Sequence, residues 1–180
     1  MSHRPVAIAN RHPRLRLDRR AVARAVRALD RHHEALALEN SVLLNAAELS
    51  VVFMTDRALA GLHSDFLGDP APTDVITFAY SGPHPAAIVG EICISADAAR
   101  RRAGGGAGGK EALSSELTLY LVHGWLHLAG HDDRLPAARK AMRRAELLAL
   151  ELLKSGGALP GFSFRSPRKQ NVRAVRKARR

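Results

Sequence analysis

The stretch of residues 117–129 constrains the fold of this chain more than any other feature. Leu113, Leu117 and Leu121 recur at helical spacing, which predicts a helix from Lys110 to about Ala129. From residue 117 onward this helix is apolar nearly all round, so it must be buried on most sides. The apolar run is too short to span a bilayer. The other elements of the chain are therefore expected to surround this helix.

Two histidines interrupt the apolar run, at His123 and His127. Residues four apart lie on one face of a helix, where two imidazoles can hold one metal ion. The alternative is a pair of satisfied core histidines, but Gly130 and a cluster of His and Asp residues follow directly. A helical His pair with one further donor leaves a coordination position open, which is typical of catalytic rather than structural zinc.

The third metal ligand is expected just after the helix. Positions eight apart on a straight helix are separated by about 12 Å, so His131 can join the pair only if the helix ends first. Gly130 is placed to end it. His131 and Asp133 are both candidates, and Asp133 is favoured because five intervening residues let the chain turn back. The expected site is one Zn²⁺ held by His123, His127 and Asp133.

The residue after the first histidine limits the chemistry. A His-Glu-x-x-His peptidase uses the glutamate as its general base, and here that position is Gly124. A bound metal would still act as a Lewis acid and lower the pKa of its water to roughly 7. A zinc hydrolase with another substrate, such as a small ester, stays open. No residue is assigned as a general base.

Strand and helix patterns alternate along the rest of the chain. At 180 residues with a single cysteine, Cys93, the chain is expected to form one domain without an internal disulfide. An Arg-rich start without an apolar segment favours a cytoplasmic protein that does not enter membranes. Strands are predicted at 5–10, 47–54, 74–78 and 88–95, and further helices at 18–30, 55–66, 96–102 and 136–154.

Positive charge is concentrated at the carboxyl end. Residues 165–180 hold eight Lys or Arg and no acid, whereas the whole chain carries a net charge of +11. We expect a folded domain at 1–160 and a basic, disordered tail at 161–180 that contacts nucleic-acid phosphates, with a solubilising terminus as the alternative. Residues 165–180 contain no aromatic residue for base stacking. The residues expected to contact the nucleic acid are Arg168, Lys169, Arg173, Arg176 and Lys177.

Three motifs resemble one known family. The segment from His123 to Asp133 is similar to the pattern His-Gly-x-Leu-His-Leu-x-Gly-Tyr-Asp-His of the YbeY-type endoribonucleases. Residues 72–78 (Pro-Thr-Asp-Val-Ile-Thr-Phe) and 90–95 (Gly-Glu-Ile-Cys-Ile-Ser) resemble two further family segments, in the same order and spacing. The resemblance covers roughly residues 48–153.

The resemblance implies both a fold and a function. The fold is α+β, a single domain with a small mixed β-sheet of about four strands packed on a central metal-bearing helix with flanking helices. The implied activity is zinc-dependent cleavage of single-stranded RNA in 16S rRNA maturation and ribosome quality control. The implied partners are single-stranded rRNA, the small ribosomal subunit and its assembly proteins.

The chain departs from the family pattern at four positions. Asp133 stands where the family has its third ligand, a histidine, and His131 stands where it has a tyrosine. Leu67 replaces an arginine linked to RNA binding and cleavage, and His63 replaces an asparagine. These departures leave open a non-catalytic ribosome-assembly factor whose metal site serves only folding. The resemblance also implies that Thr73 and Asp74 line the cleft, with a turn or cap at the start of a strand as the alternative.

Overall fold

A four-stranded mixed sheet forms one layer of the computed structural model, which describes residues 4–44, 47–68, 73–80, 88–105, 107 and 109–165. The strand order is β1-β3-β5-β4, in which β1, β3 and β5 are parallel and β4 runs antiparallel to β5. The expected mixed sheet is confirmed. The strands are β1 (Val6–Asn10), β2 (Leu15–Leu17), β3 (Glu48–Met54), β4 (Val75–Ala79), β5 (Ile88–Ser95) and β6 (Phe162–Phe164).

Six α-helices accompany these strands in the described part of the chain. Side-chain oxygens cap three of them: Asp18 accepts from the N–H of Arg20, Thr55 from that of Ala58, and Ser95 from that of Ala98. The predicted helices are confirmed, and the short α2 was not predicted. The helices are α1 (Arg19–Arg31), α2 (His33–Leu36), α3 (Asp56–Leu67), α4 (Ala96–Arg102), α5 (Gly109–Leu128) and α6 (Pro136–Ser155).

Helix α5 lies at the centre of the core, as its apolar sequence predicts. Leu117, Leu121, Trp125 and Leu126 are fully buried. The helix packs on β4 and β5 on one side and on α4 and α6 on others. Gly124 permits close approach to the sheet, because a Cβ atom there would lie 2.5 Å from Cγ2 of Ile92. The position that holds the base in a peptidase therefore faces the sheet.

A second, two-stranded sheet includes residues at the start of the segment 161–180. Strand β6, which falls in the segment 161–180, pairs antiparallel with β2. Phe162 is buried with its ring 5.4 Å from that of Phe53, and Phe164 meets His12 edge-on at 5.0 Å. These aromatic contacts hold residues 162–164 to the domain. The proposed RNA-binding residues of the tail, at 168–177, lie outside the described residues.

Within the described ranges, no helix has the length and apolar character needed to cross a membrane.

Candidate metal centre

The imidazoles of His123 and His127 meet on one face of α5. Their Nε2 atoms are 3.0 Å apart, and the two rings stand perpendicular with centroids separated by 4.6 Å. Successive turns of the helix place them this way, since each residue advances 1.5 Å along the axis. Both side chains are partly buried. The sequence expectation that the two rings face a common point agrees with this geometry.

The other ring nitrogen of each histidine already has an oxygen partner. Nδ1 of His123 lies 2.7 Å from Oε1 of Glu146 on α6, and Nδ1 of His127 lies 3.1 Å from the carbonyl oxygen of His131. These acceptors favour a proton on each Nδ1, which leaves a lone pair on each Nε2. Two lone pairs that face each other at 3.0 Å repel. A cation between them would satisfy both.

Asp133 completes a group of three donors. Its Oδ2 lies 3.8 Å from Nε2 of His123, and one ligand atom from each of Asp133, His123 and His127 lies within 4.8 Å of the others. Zinc bound tetrahedrally at 2.0–2.2 Å separates its ligand atoms by about 3.4 Å. The measured separations bracket that value, so the donor set fits such an ion. The side chain of Asp133 is 43% exposed, which leaves the group open to solvent on that side.

A helix-ending turn carries the third donor back towards the pair. The N–H of Gly130 bonds to the carbonyl of His127, and the N–H of His131 bonds to that of Leu126. This is the Schellman arrangement, in which the residue after the cap adopts a left-handed conformation. Gly130 has φ +97°, and a Cβ there would overlap the side chain of Asn40. Gly130 ends the helix as its position in the sequence predicts.

His131 contributes its main chain, not its ring, to this group. Its Nε2 lies 2.7 Å from the carbonyl oxygen of Leu36, at the end of α2. Its own carbonyl accepts the hydrogen bond from His127 described above. Of the two candidates that the sequence left open, only Asp133 brings a side-chain donor to the His pair.

The two histidines differ in proton affinity. Burial lowers the pKa of His123, but the hydrogen bond and charge of Glu146 outweigh it, so the net pKa lies above the ordinary value. Burial and the neighbouring charge of His123 both lower the pKa of His127. The first proton therefore resides on His123, and the pair resists taking a second.

Two adjoining clefts share lining residues, and one of them is lined by His123. The first, of about 430 Å³, reaches His123 and Glu146, and the second, of about 370 Å³, shares several of its residues. Thr73 and Asp74 do line these clefts. Burial raises the pKa of Tyr120 to about 12, so its hydroxyl remains protonated at neutral pH. The shared residues are Asp74, Arg102 and Tyr120, and the first cleft adds Glu116, Leu119 and Arg143.

Glu146 is the functional side chain that the sequence did not reveal. It lies 23 residues beyond His123 on a separate helix that carries several charged residues, so no local spacing connects the two. The side chain of Leu67 lies outside the described residues. His63 is half-buried on α3, remote in sequence from the donor group.

A mixed sheet over a buried helix that presents two histidines and a nearby carboxylate defines a small α+β protein with a candidate catalytic metal site. The family model of Endoribonuclease YbeY matches residues 7–154, and the chain belongs to this family. The enzyme class that the sequence resemblance implies, a hydrolase acting on RNA, is thereby confirmed.

Curated relatives carry the same name. "Endoribonuclease YbeY" of Chlamydia abortus is 40% identical over 115 residues, which cover 62% of this chain and 73% of the relative. The Anaeromyxobacter dehalogenans protein is 35% identical over 166 residues, covering 92% and 78% respectively. The Pelotomaculum thermopropionicum protein is 35% identical over 148 residues, covering 79% and 92%.

A solved structure also aligns with the chain. The solution structure of TM1509 from Thermotoga maritima covers 85% of this chain and 94% of its own, with a TM-score of 0.49 and 16% identity.

Proposed function

We propose that this protein is a zinc-dependent endoribonuclease that cuts single-stranded RNA, acting in the cytoplasm in 16S rRNA maturation and ribosome quality control. The observation that carries the proposal is the pair of Nε2 atoms 3.0 Å apart, each with its Nδ1 already engaged by oxygen. That pair lies beside a cleft in a member of an endoribonuclease family.

His123, His127 and Asp133 would hold the ion. Two imidazoles and one carboxylate form a donor set that zinc accepts, and three protein ligands leave one position for water or substrate. When bound, zinc would supply Lewis-acid stabilisation of negative charge on the scissile phosphate. Glu146 and the carbonyl of His131 fix the orientation of the two rings, which prepares the site before the ion arrives.

The cleft residues would hold the RNA strand. Arg102 and Arg143 line the cleft next to His123, and no described carboxylate lies within ion-pair distance of either guanidinium. Guanidinium groups bind phosphate oxygens in a bidentate manner and stabilise charge that develops on phosphorus.

Carboxylates of the same cleft favour unpaired bases. Asp74 and Glu116 can accept hydrogen bonds from the exocyclic amino groups of bases. Those groups are available on the Watson–Crick edge only where the RNA is single-stranded. The attacking group is either water or the neighbouring 2′-hydroxyl. No residue of the described site is assigned as the general base that would activate this attacking group.

The basic tail would add RNA affinity without specificity. Arg168, Lys169, Arg173, Arg176 and Lys177 are proposed to contact phosphates of rRNA, while the domain that precedes them carries the chemistry. The small ribosomal subunit and its assembly proteins are the proposed partners.

The deciding experiment compares cleavage of single-stranded rRNA fragments before and after chelation, with zinc restored afterwards. We expect cutting that is lost with chelator, recovered with zinc, and absent in His127→Ala. His32→Ala is the matched control, because His32 is exposed and distant from the donor group in sequence. RNA binding that ignores chelation, with no cutting by the native protein, would instead indicate an assembly factor with a folding-only metal.

A further inference from the structure

The outer face of α1 carries a row of arginines. Arg20, Arg24, Arg27 and Arg31, here called the arginine stripe, follow one another at spacings of four, three and four residues, which places them on one side of the helix. Arg20, Arg24 and Arg31 are exposed, and Arg27 is half-buried. From Arg20 to Arg31 the helix advances roughly 16 Å.

The opposite face of α1 is committed to the core. Val22, Ala25, Val26 and Leu29 are fully buried, so they cannot turn outward to enter a bilayer. An amphipathic helix that binds membranes needs that apolar face for insertion. The stripe also has no aromatic side chain on its own face, and protein interfaces rely on such anchors. What α1 presents to a partner is therefore charge alone.

No acid within the described residues neutralises the stripe through an ion pair. The two acids nearest in sequence are occupied: Asp18 caps the helix at the N–H of Arg20, and Asp30 accepts from Trp125 and Arg4. Like charges three and four residues apart destabilise a helix, and a cation in the first turn opposes the helix dipole. Only Arg31, in the last turn, is favourably placed with respect to the helix dipole. Repulsion along the stripe is unfavourable for folding, and no ion pair within the described residues relieves it.

Helix α1 adjoins the elements that build the candidate metal centre. It packs against α6, which supplies Glu146 and Arg143. Five residues after Arg31, the carbonyl of Leu36 meets the ring of His131, in the turn that precedes Asp133. A polyanion that follows the stripe is thus held by elements in direct contact with those of the site.

We infer that the arginine stripe is a second RNA-binding surface, which docks the phosphate backbone of rRNA outside the cutting cleft. Four guanidinium groups in a row match a chain of phosphates and carry no base readout, so the contact is independent of sequence. This inference rests on the proposed function, since it takes rRNA to be the substrate. The stripe would raise affinity for long rRNA and leave cutting of short fragments unchanged.

The test replaces the four arginines with glutamine (Arg20→Gln, Arg24→Gln, Arg27→Gln, Arg31→Gln) in the full chain. Affinity for a long rRNA fragment is measured in chelator, which prevents cutting, over a series of salt concentrations. Each phosphate contact contributes about 0.7 to the slope of log affinity against log salt on single strands. We expect the slope to fall by about 3 and affinity at physiological salt to fall roughly tenfold or more.

The matched control removes the same charge elsewhere. Arg16→Gln, Arg57→Gln, Lys110→Gln and Lys154→Gln change four exposed cations that lie outside α1. We expect this variant to lose much less slope than the stripe variant. Equal losses in the two variants would overturn the inference, because they would reflect net charge alone. An unchanged slope in the stripe variant would also overturn it.

Folding, partner class and the proposed function are separated by further readouts. The stripe variant should melt at or above the native Tm, because it removes repulsion between the arginines. If it does not fold, the double variant Arg24→Gln with Arg31→Gln should show half of the expected change in slope. The stripe variant and the native protein are also tested for binding to polyglutamate and to anionic vesicles. If the variant loses binding to either of these but still binds RNA as the native protein does, the inference is refuted. If the stripe variant cuts a short single-stranded oligonucleotide at the rate of the native protein, the result supports a docking surface outside the cutting cleft. A native protein that cuts no RNA, yet shows the stripe-dependent slope, would refute only the proposed function.

Discussion

Glu146 on α6 accepts a hydrogen bond from Nδ1 of His123 on α5, with 2.7 Å between the two heavy atoms. The contact joins two helices, and it has one functional consequence. A proton held on Nδ1 by a carboxylate leaves Nε2 as the ligand atom and increases the basicity of the ring. Glu146 is therefore a positioning residue for the candidate metal centre.

Replacement of Glu146 should weaken metal binding. We expect Glu146→Ala to lower zinc affinity by roughly 10- to 100-fold, because His123 loses the partner that fixes its tautomer and orientation. Glu146→Gln should have a zinc affinity between those of the native protein and Glu146→Ala, because its amide oxygen can still accept a hydrogen bond from Nδ1 of His123. Competition with a chromophoric chelator measures the affinity. Glu151→Ala, an exposed acid on the same helix, is the control, and an equal loss there would contradict the assignment.

Replacements of Asp133 and His131 should have different effects on the zinc content of the protein. Asp133→Ala removes a donor atom from the group, so we expect zinc to be lost or strongly weakened. His131→Ala keeps the carbonyl that orients His127 and loses only the ring contact with Leu36, so metal should be retained with a stability cost of about 1 kcal/mol. Elemental analysis of protein purified without chelators measures both. Zinc retained by Asp133→Ala and lost by His131→Ala would reverse the assignment.

The parts of the site that could be predicted are local in sequence. His123 and His127 are one turn apart, and Gly130 marks the helix end by a rule that concerns adjacent residues. Glu146 could not be predicted, because its contact depends on how α6 packs against α5. The choice between His131 and Asp133 also needed the path of the turn, which directs one ring to Leu36.

The same distinction applies to the fold. Strands of five to eight residues with strong apolar patterns were predicted within one or two residues of their ends. Strands β2 and β6 have three residues each, which is shorter than any periodic pattern can reveal. They exist because the ring of Phe162 packs on Phe53, a contact between distant parts of the chain.

Gly124 should not tolerate a side chain. In Gly124→Ala the new Cβ would meet Cγ2 of Ile92 at 2.5 Å, and a β-branched residue in a strand has little freedom to move aside. Overpacking of this kind costs about 1–3 kcal/mol, a fall of several degrees in Tm for a domain of this size. Gly61→Ala is the control: it lies in α3 with no atom within 4 Å and should stabilise by about 0.5–1 kcal/mol. Equal Tm values for Gly124→Ala and Gly61→Ala would contradict the argument that Gly124 is packed against Ile92.

Acid should weaken the contact between α3 and α4. Burial raises the pKa of Asp56, but hydrogen bonds from Arg101 and Ser95 outweigh it, so the net pKa lies below the ordinary 3.8. A carboxyl with a lowered pKa stabilises the fold above its ordinary pKa, and this contribution disappears as pH falls through the folded pKa. Arg101 is 60% exposed, so we expect less than about 1 kcal/mol.

Urea unfolding of the native protein and Arg101→Gln, from about pH 6 to about pH 3, measures that contribution. The native protein should be the more stable at the upper end, and the difference between the two should shrink towards the lower end. A difference that grows as the pH falls would have the wrong sign for a carboxyl with a lowered pKa.

Removal of the basic tail should reduce the salt dependence of RNA binding. The deletion is best made after Arg165, because its carbonyl accepts from the side chain of Arg14 and its N–H bonds to the Arg14 carbonyl. Residues 166–180 contain seven Lys or Arg, so the slope of log affinity against log salt can fall by at most about 5 on single strands. Cutting of a short oligonucleotide at saturating concentration should be unaffected, since the donor group and cleft are retained. A slope equal to that of the full chain would assign the tail to solubility, and a lower rate on the short substrate would place the tail inside the cutting site.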